Sequence, residues 1–204
     1  RPPQPPVFLF VIEASYATVS SGMLRCLSAT MANILDRIQG GERTQVGVIT
    51  YDSTVHFHNL NGSTPQMMVV SDTDDVFLPM PSDILVNLVE RREQLQQLFE
   101  KLPTMFAHSQ STEAALGPAI RAAYQAAQHV GGKMHLFCAS RPTVGEGKLL
   151  NREGQPGRGG GSNGSGKGVN VLKAENEFYK SLAVDCSKQQ LCVDVWSCGG
   201  AYAD

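Results

Sequence analysis

Glu13, Ala14 and Ser15 close a run of six apolar residues, Val7 to Ile12 (VFLFVI). An acid and a hydroxyl at the carboxyl end of a buried strand are oxygen ligands of the kind that hold Mg²⁺. A second acidic group, Asp72-Thr73-Asp74-Asp75, follows the apolar residues MMVV, 67–70. Two acids spaced D-x-D at a strand end supply a nucleophile and a neighbouring acid beside Mg²⁺, with Lys133 available as a charge partner. His56 and His58 fall on one face of an alternating strand, as zinc-binding pairs do. The stretch GSNGSGKG, 161–168, meets most of the phosphate-binding pattern G-x-x-x-x-G-K-[ST].

Each constellation has a plainer reading. The phosphate-loop match lacks the final hydroxyl, and the residues before it, NREGQPGRGG, are no strand. That motif works only where a strand aims backbone amides at phosphate ahead of a helix. The overlapping G-x-S-x-G, 160–164, equally lacks the strand and helix that a nucleophile elbow needs. Both matches follow from glycine-rich composition. The Asp72–Asp75 group comes late, after a short run and before Leu78-Pro79-Met80-Pro81, and its plain reading is a charged turn-forming loop. Haloacid-dehalogenase phosphatases place such a pair on their first, central strand. The His56/His58 pair has no third ligand in view and reads as the solvated face of an edge strand.

The elements that must position these residues follow from periodicity. Val7–Ile12 is apolar throughout and predicts a parallel strand covered on both faces. Met23, Leu24, Leu27, Met31, Ile34, Leu35 and Ile38 repeat at helical steps, and Gly40-Gly41 ends that helix. Gln45–Tyr51 and Thr54–Leu60 predict a hairpin turning at Asp52-Ser53. Leu95, Leu98, Phe99 and Leu102 mark a second helix. Ser111–His129 marks a third, capped by Ser109, Ser111 or Thr112, with an alanine stripe that permits close packing on a sheet. Lys133–Cys138 and Leu191–Ser197 are strands, and Phe178, Tyr179, Leu182 and Ala183 mark a helix between them. Trp196 is expected in the core.

Strands alternating with helices predict an α/β doubly wound sheet, mostly parallel, with one antiparallel hairpin. Residues 1–6 (RPPQPP) read as a proline-rich linker, residues 7–204 as one domain, and residues 154–168 as a flexible glycine-rich loop. The sequence stops just after a strand, so the sheet is expected to be truncated at its C-terminal edge.

The bulk composition narrows function further. The 204 residues are 42% hydrophobic and 18% charged, with net charge −2, which points away from nucleic acid. The five cysteines are odd in number and never spaced C-x-x-C; Cys138 and Cys192 sit in apolar runs as small hydrophobes. Reduced thiols and a cytosolic or nuclear compartment follow.

The strand ending in acid-x-Ser, the long helix, the hairpin and the hydroxyl-rich STEAALGPAI resemble the von Willebrand A fold. Ion-binding members end the first strand D-x-S-x-S and add a later threonine and aspartate. Here Glu13 replaces the aspartate, Ala17 the second serine, and Arg141 stands where the last acid would be. The resemblance therefore implies a degenerate ion site at Glu13, Ser15 and Thr112, predicted empty. The blocks RPPQPPVFLFVIEAS, GVITYDSTVHFHNL, VVSDTDDVFLPMPSDILVNL, LPTMF, ALGPAIRAA and FYKSLAVDCSKQQLCVDV are more specific. They resemble the trunk domain of the COPII inner-coat cargo adaptor, the Sec twenty-four family.

That resemblance implies a non-enzymatic scaffold without catalytic residues. It would pair with the other inner-coat subunit in endoplasmic reticulum to Golgi transport. A small GTPase recruits the assembled coat, which touches the membrane peripherally and reads cytoplasmic sorting signals of cargo. The implied location is the cytoplasm, on COPII vesicles and the cytosolic face of the endoplasmic reticulum membrane. No cofactor is implied for this chain; the family's zinc belongs to an upstream finger. Asp72, Asp74, Asp75 and Phe77 are the candidate partner contact, because charges there adjoin apolar residues. The rival expectations are a Mg²⁺-dependent A-domain ligand-binding module and a haloacid-dehalogenase-like phosphatase using Asp72 and Asp74.

Overall fold

The structure, a computed structural model, describes residues 3–151 and 174–199. The glycine-rich loop 154–168 lies outside the described residues, together with the two motif matches within it.

A mixed sheet forms the centre, in the order β4-β3-β2-β1-β6-β7. Its strands are β1 (Val7–Glu13), β2 (Gln45–Tyr51), β3 (Val55–Asn59), β4 (Gln66–Val70), β6 (Gly132–Cys138) and β7 (Leu191–Ser197). A two-residue strand, β5 (Val86–Asn87), pairs antiparallel with the start of β2. β1 pairs parallel with both β2 and β6, and β6 with β7. The β2-β3-β4 meander is antiparallel. This is the α/β architecture expected, with a second antiparallel pairing added by β4.

The unbroken apolar run of β1 is explained by layers on both faces. Leu9 and Val11 enter one core with Ile49, Tyr51, Phe57, Met134 and Leu136. Phe10 and Ile12 enter the opposite core with Val46, Val48, Leu24 and Phe99. Helices α2 (Met23–Ile34) and α3 (Arg92–Met105) cover the second face. Helices α4 (Leu116–Ala127) and α5 (Phe178–Lys188) cover the first. Leu95, Leu98, Phe99 and Leu102 are all buried, as their spacing requires.

The alanine stripe does what its small side chains permit. Ala114, Ala115, Ala119, Ala122, Ala123 and Ala127 are all fully buried against the sheet. At Gly117 the approach is closer still: a Cβ there would collide with the carbonyl oxygen of Glu146. The same loop is pinned to α4 by Arg121, whose Nε and Nη2 donate to Glu146 at 3.1 and 2.8 Å.

Several expectations are corrected. The helix expected over 23–38 is preceded by a short helix, α1 (Tyr16–Ser20), and tightens into a 3-10 turn at Leu35–Arg37. The helix expected over 111–129 begins only at Leu116, after an uncapped Ala115. Residues 111–115 instead spend their backbone groups on other elements. Tyr16 N donates to Ser111 O at 2.8 Å, Ala115 N to Asp52 O at 2.6 Å, and Ala114 N to Thr143 Oγ1 at 2.9 Å. Those bonds compete directly with helical ones.

Trp196 is 51% exposed, not core. It stacks on Phe137 (centroids 6.0 Å apart, planes 9° apart) and borders an apolar groove of about 440 Å³ formed with Phe8, Phe10, Met31 and Ile34. Cys192 is exposed while Cys138 is buried, because β7 is an edge strand and β6 is not. All five cysteines are free. The expected linker is tied down at its end: Gln45 N donates to Pro6 O at 2.8 Å, and Arg43 Nη1 to Pro3 O at 3.0 Å.

Candidate functional site

Parallel strands β1 and β6 end side by side, so Glu13 and the turn Ala139-Ser140-Arg141 meet. Glu13 is fully buried. Its Oε1 accepts from Ser15 Oγ at 2.5 Å, and its Oε2 accepts from Ala139 N at 2.6 Å and Ser140 N at 3.0 Å. A carboxylate holding three internal donors has little left for an octahedral Mg²⁺, which demands several oxygens in near-ideal geometry. Beneath it, Tyr51 donates to Phe137 O at 3.5 Å, and burial followed by the nearby Glu13 pushes the phenol well above its ordinary range.

Thr112 is brought to the same end of the sheet through the Ser111–Tyr16 bond. It is exposed, and it lines a cleft of about 290 Å³ with Ala17, Ser140, Arg141 and Thr143. Glu13 and Ser15 are thus joined to each other, whereas Thr112 faces the arginine's cleft. The Glu13 and Ser15 oxygens lie outside the cleft's lining.

The Asp72–Asp75 group sits just past β4, an edge strand and not a central one. Asp72 Oδ1 accepts from Asp74 N and Asp75 N, both at 3.1 Å, so the first acid folds its own turn. Asp72, Asp74 and Asp75 are exposed, Val76 is buried, and Phe77 stands 57% exposed. The charge partner expected for this group is elsewhere: Lys133, on β6, pairs with Asp194 of β7 at 2.8 Å.

His56 and His58 do share a strand face, yet neither is solvated. β3 is an interior strand, and the two rings are 4% and 3% exposed. Thr50 Oγ1 lies 3.1 Å from His56 Nδ1 and 2.9 Å from His58 Nε2. A hydroxyl has one proton, so it donates to one ring and accepts from the other. His56 Nε2 reaches Thr54 Oγ1 at 2.9 Å and Asp52 Oδ1 at 3.5 Å. Its ring also stacks on Phe106. These bonds account for the pair without a metal. Burial, then the neighbouring His56, holds His58 down at about 3. Among the described residues no group of three or more His, Cys, Asp or Glu is placed to hold a metal.

Sequence reasoning missed Thr50 and Thr54, whose hydroxyls organise the histidines. An alternating strand facing another across a two-residue turn was the available signal.

The profile of the Sec23/Sec24 trunk domain matches residues 3–204. Protein transport protein Sec24A of Mus musculus is 44% identical over 206 residues, spanning all of this chain and 18% of that protein. Protein transport protein SEC24 A of Arabidopsis thaliana is 43% identical, spanning all of this chain and 20% of that protein. A crystal structure of the human COPII-coat protein Sec24c superposes with a TM-score of 0.84 at 33% identity, covering 99% of this chain and 27% of that one. The chain spans about a fifth of the length of the first two relatives. It belongs to the Sec23/Sec24 trunk domain family.

Proposed function

We propose that this chain is the trunk of a COPII cargo adaptor, a non-enzymatic scaffold that pairs with the other inner-coat subunit in endoplasmic reticulum to Golgi transport. The likeness to the human coat protein over nearly the whole chain carries this reading. The scaffold acts in the cytoplasm, on COPII vesicles and the cytosolic face of the endoplasmic reticulum membrane. It is recruited through a small GTPase acting on the assembled coat, and the whole adaptor reads cargo sorting signals. Pairing works by surface complementarity over an interface of about 1,000 Å² or more. The Asp72–Asp75 turn and Phe77 form part of that surface, because exposed acids there adjoin an exposed aromatic ring.

The chain requires no cofactor and no ion in this role. The internal bonds of Glu13 support that, since they close the strand ends without a bound ligand.

Size-exclusion chromatography with the trunk of the partner subunit, with and without EDTA, tests the proposal. A stoichiometric complex that survives EDTA is expected. Absence of a complex, or its loss with the metal, would overturn the scaffold reading in favour of an ion-dependent ligand-binding module. Mg²⁺-dependent phosphate release abolished by Asp72→Asn would overturn it in favour of a phosphatase.

A further inference from the structure

The strand order ends at β4 on one side and β7 on the other. An edge strand exposes a row of backbone N–H and C=O groups, and proteins blunt it with charges, proline, bulges or a cover. β7 carries such a charge mid-strand, Asp194, paired with Lys133. β4 (QMMVV) holds no charge and no proline. Its register with β3 runs without a bulge through five successive pairs, from Val55↔Val70 to Asn59↔Gln66. Among the described residues, its outer edge makes no hydrogen bond to another element.

The side chains of β4 are open as well. Met67 and Val69 lie opposite His58 and His56 on one face of the sheet. The helix on that face stops short of them: α3 ends at Met105, and Phe106 stacks on His56, over β3. Met67, Val69 and Met105 are accordingly exposed, by 40%, 50% and 43%. One more strand beside β4 would pair its outward backbone groups and give Met67 and Val69 apolar cross-strand neighbours. The unbranched methionine adapts to varied shapes there.

The ends of β4 define what fits. Pro65 precedes it, and the exposed Asp72, Asp74 and Asp75 follow it. Asp72 caps its own turn, whereas the carboxylates of Asp74 and Asp75 have no ion-pair partner among the described residues. An added strand runs most favourably antiparallel, as in the β2-β3-β4 meander. The residues that precede its apolar pair then pass the acids, where a cation is attracted and an acid repelled. A second β4, set antiparallel about Met68, would bring Asn61, Gly62 and Thr64 to those acids and no cation. A second copy of this chain therefore complements the edge less well.

The geometry points to β4 as a strand-addition site for an extended segment of a partner chain, with Lys or Arg first and apolar residues at alternate positions after it. The site rests on the edge itself and stands without the coat assignment.

Amide hydrogen exchange of the full chain, followed by nuclear magnetic resonance, tests it with the blocked peptide Thr-Lys-Lys-Thr-Val-Thr-Val-Thr as probe. The outward amides of residues 66–70 are expected to slow at least ~10-fold when the peptide binds. N-methylation of one alternate set of peptide amides should abolish binding and of the other set should not, since only one set faces β4. Replacing both lysines of the peptide with glutamate should weaken binding about 10-fold. Val69→Lys, which puts a charge on the edge, should weaken it about as much. Because exchange is read in the unaltered protein, the result does not hang on how that variant folds. No slowing at residues 66–70, binding kept by both methylated peptides, or equal binding of the glutamate peptide would each overturn the proposal. Slowing that grows with protein concentration and needs no peptide would overturn it in favour of a second copy of this chain.

Discussion

Glu13 and Ala139 lie 126 residues apart in sequence and share a hydrogen bond of 2.6 Å at the carboxyl end of the sheet. With the Ser140 amide and the Ser15 hydroxyl, this bond joins β1 to the turn after β6. Removing a buried acceptor leaves its donors unsatisfied, which costs more than the net value of the bonds. Glu13→Ala should lower stability by about 2–4 kcal/mol in urea denaturation. Glu13→Asp should also lose stability, since the shorter side chain reaches fewer donors. Millimolar Mg²⁺ should rescue neither; a Mg²⁺-dependent rise in melting temperature would place an ion at these strand ends.

His58 makes stability depend on pH. His58 is held at about 3 in the folded chain, against 6.5 when unfolded. Between those values the unfolded state binds more protons, so stability is full above about 6.5 and falls as pH drops toward about 3. By pH 5 the loss from this ring is about 2 kcal/mol. His58→Leu should flatten the pH dependence between 7 and 5, and Thr50 keeps His56 as its partner in that variant. An unaltered slope would assign the pH dependence to other groups.

Gly117 separates propensity from packing. In an exposed helix, Gly→Ala stabilises by about 0.8–1 kcal/mol. Here the added Cβ meets the Glu146 carbonyl, in a loop also fixed by the Arg121–Glu146 pair. Overpacking of this kind costs about 1–3 kcal/mol, so Gly117→Ala should destabilise the protein in urea melts. A stabilised variant would mean that the loop moves aside freely.

Asp75→Arg probes the proposed partner surface. Asp75 is exposed, and only its backbone N–H serves the turn, donating to Asp72. The substitution should leave the melting temperature within a degree or so, as exposed sites do. Affinity for the partner trunk should fall by roughly 10-fold if the charge is opposed there. Unchanged affinity would remove this loop from the interface.

Much of this arrangement was legible because it repeats locally. The bounds of β2 and β7 follow from their apolar and β-branched runs, and α3 from four apolar residues at helical spacing. What was not legible depends on partners far along the chain. Ser111 and Thr112 look like helix caps until Tyr16 claims the Ser111 carbonyl. The two histidines look like a wet edge until β4 is seen to lie outside them. Asp72–Asp75 was legible as a turn, because its first acid caps its own loop. The resemblance to A domains sets Thr112 beside Glu13 and Ser15, but nothing local tells that it lines the cleft with Arg141.

Trp196 is the sole tryptophan of the chain, and it stands half in water at the border of an apolar groove, flat against Phe137. The molecule therefore carries its own optical probe at the β7 side of the sheet. While that face is wet, the indole should emit to the red and be quenched readily by acrylamide. Anything settling over the groove would shift the emission to the blue and shield it, so occupancy of this face can be followed by fluorescence without a label.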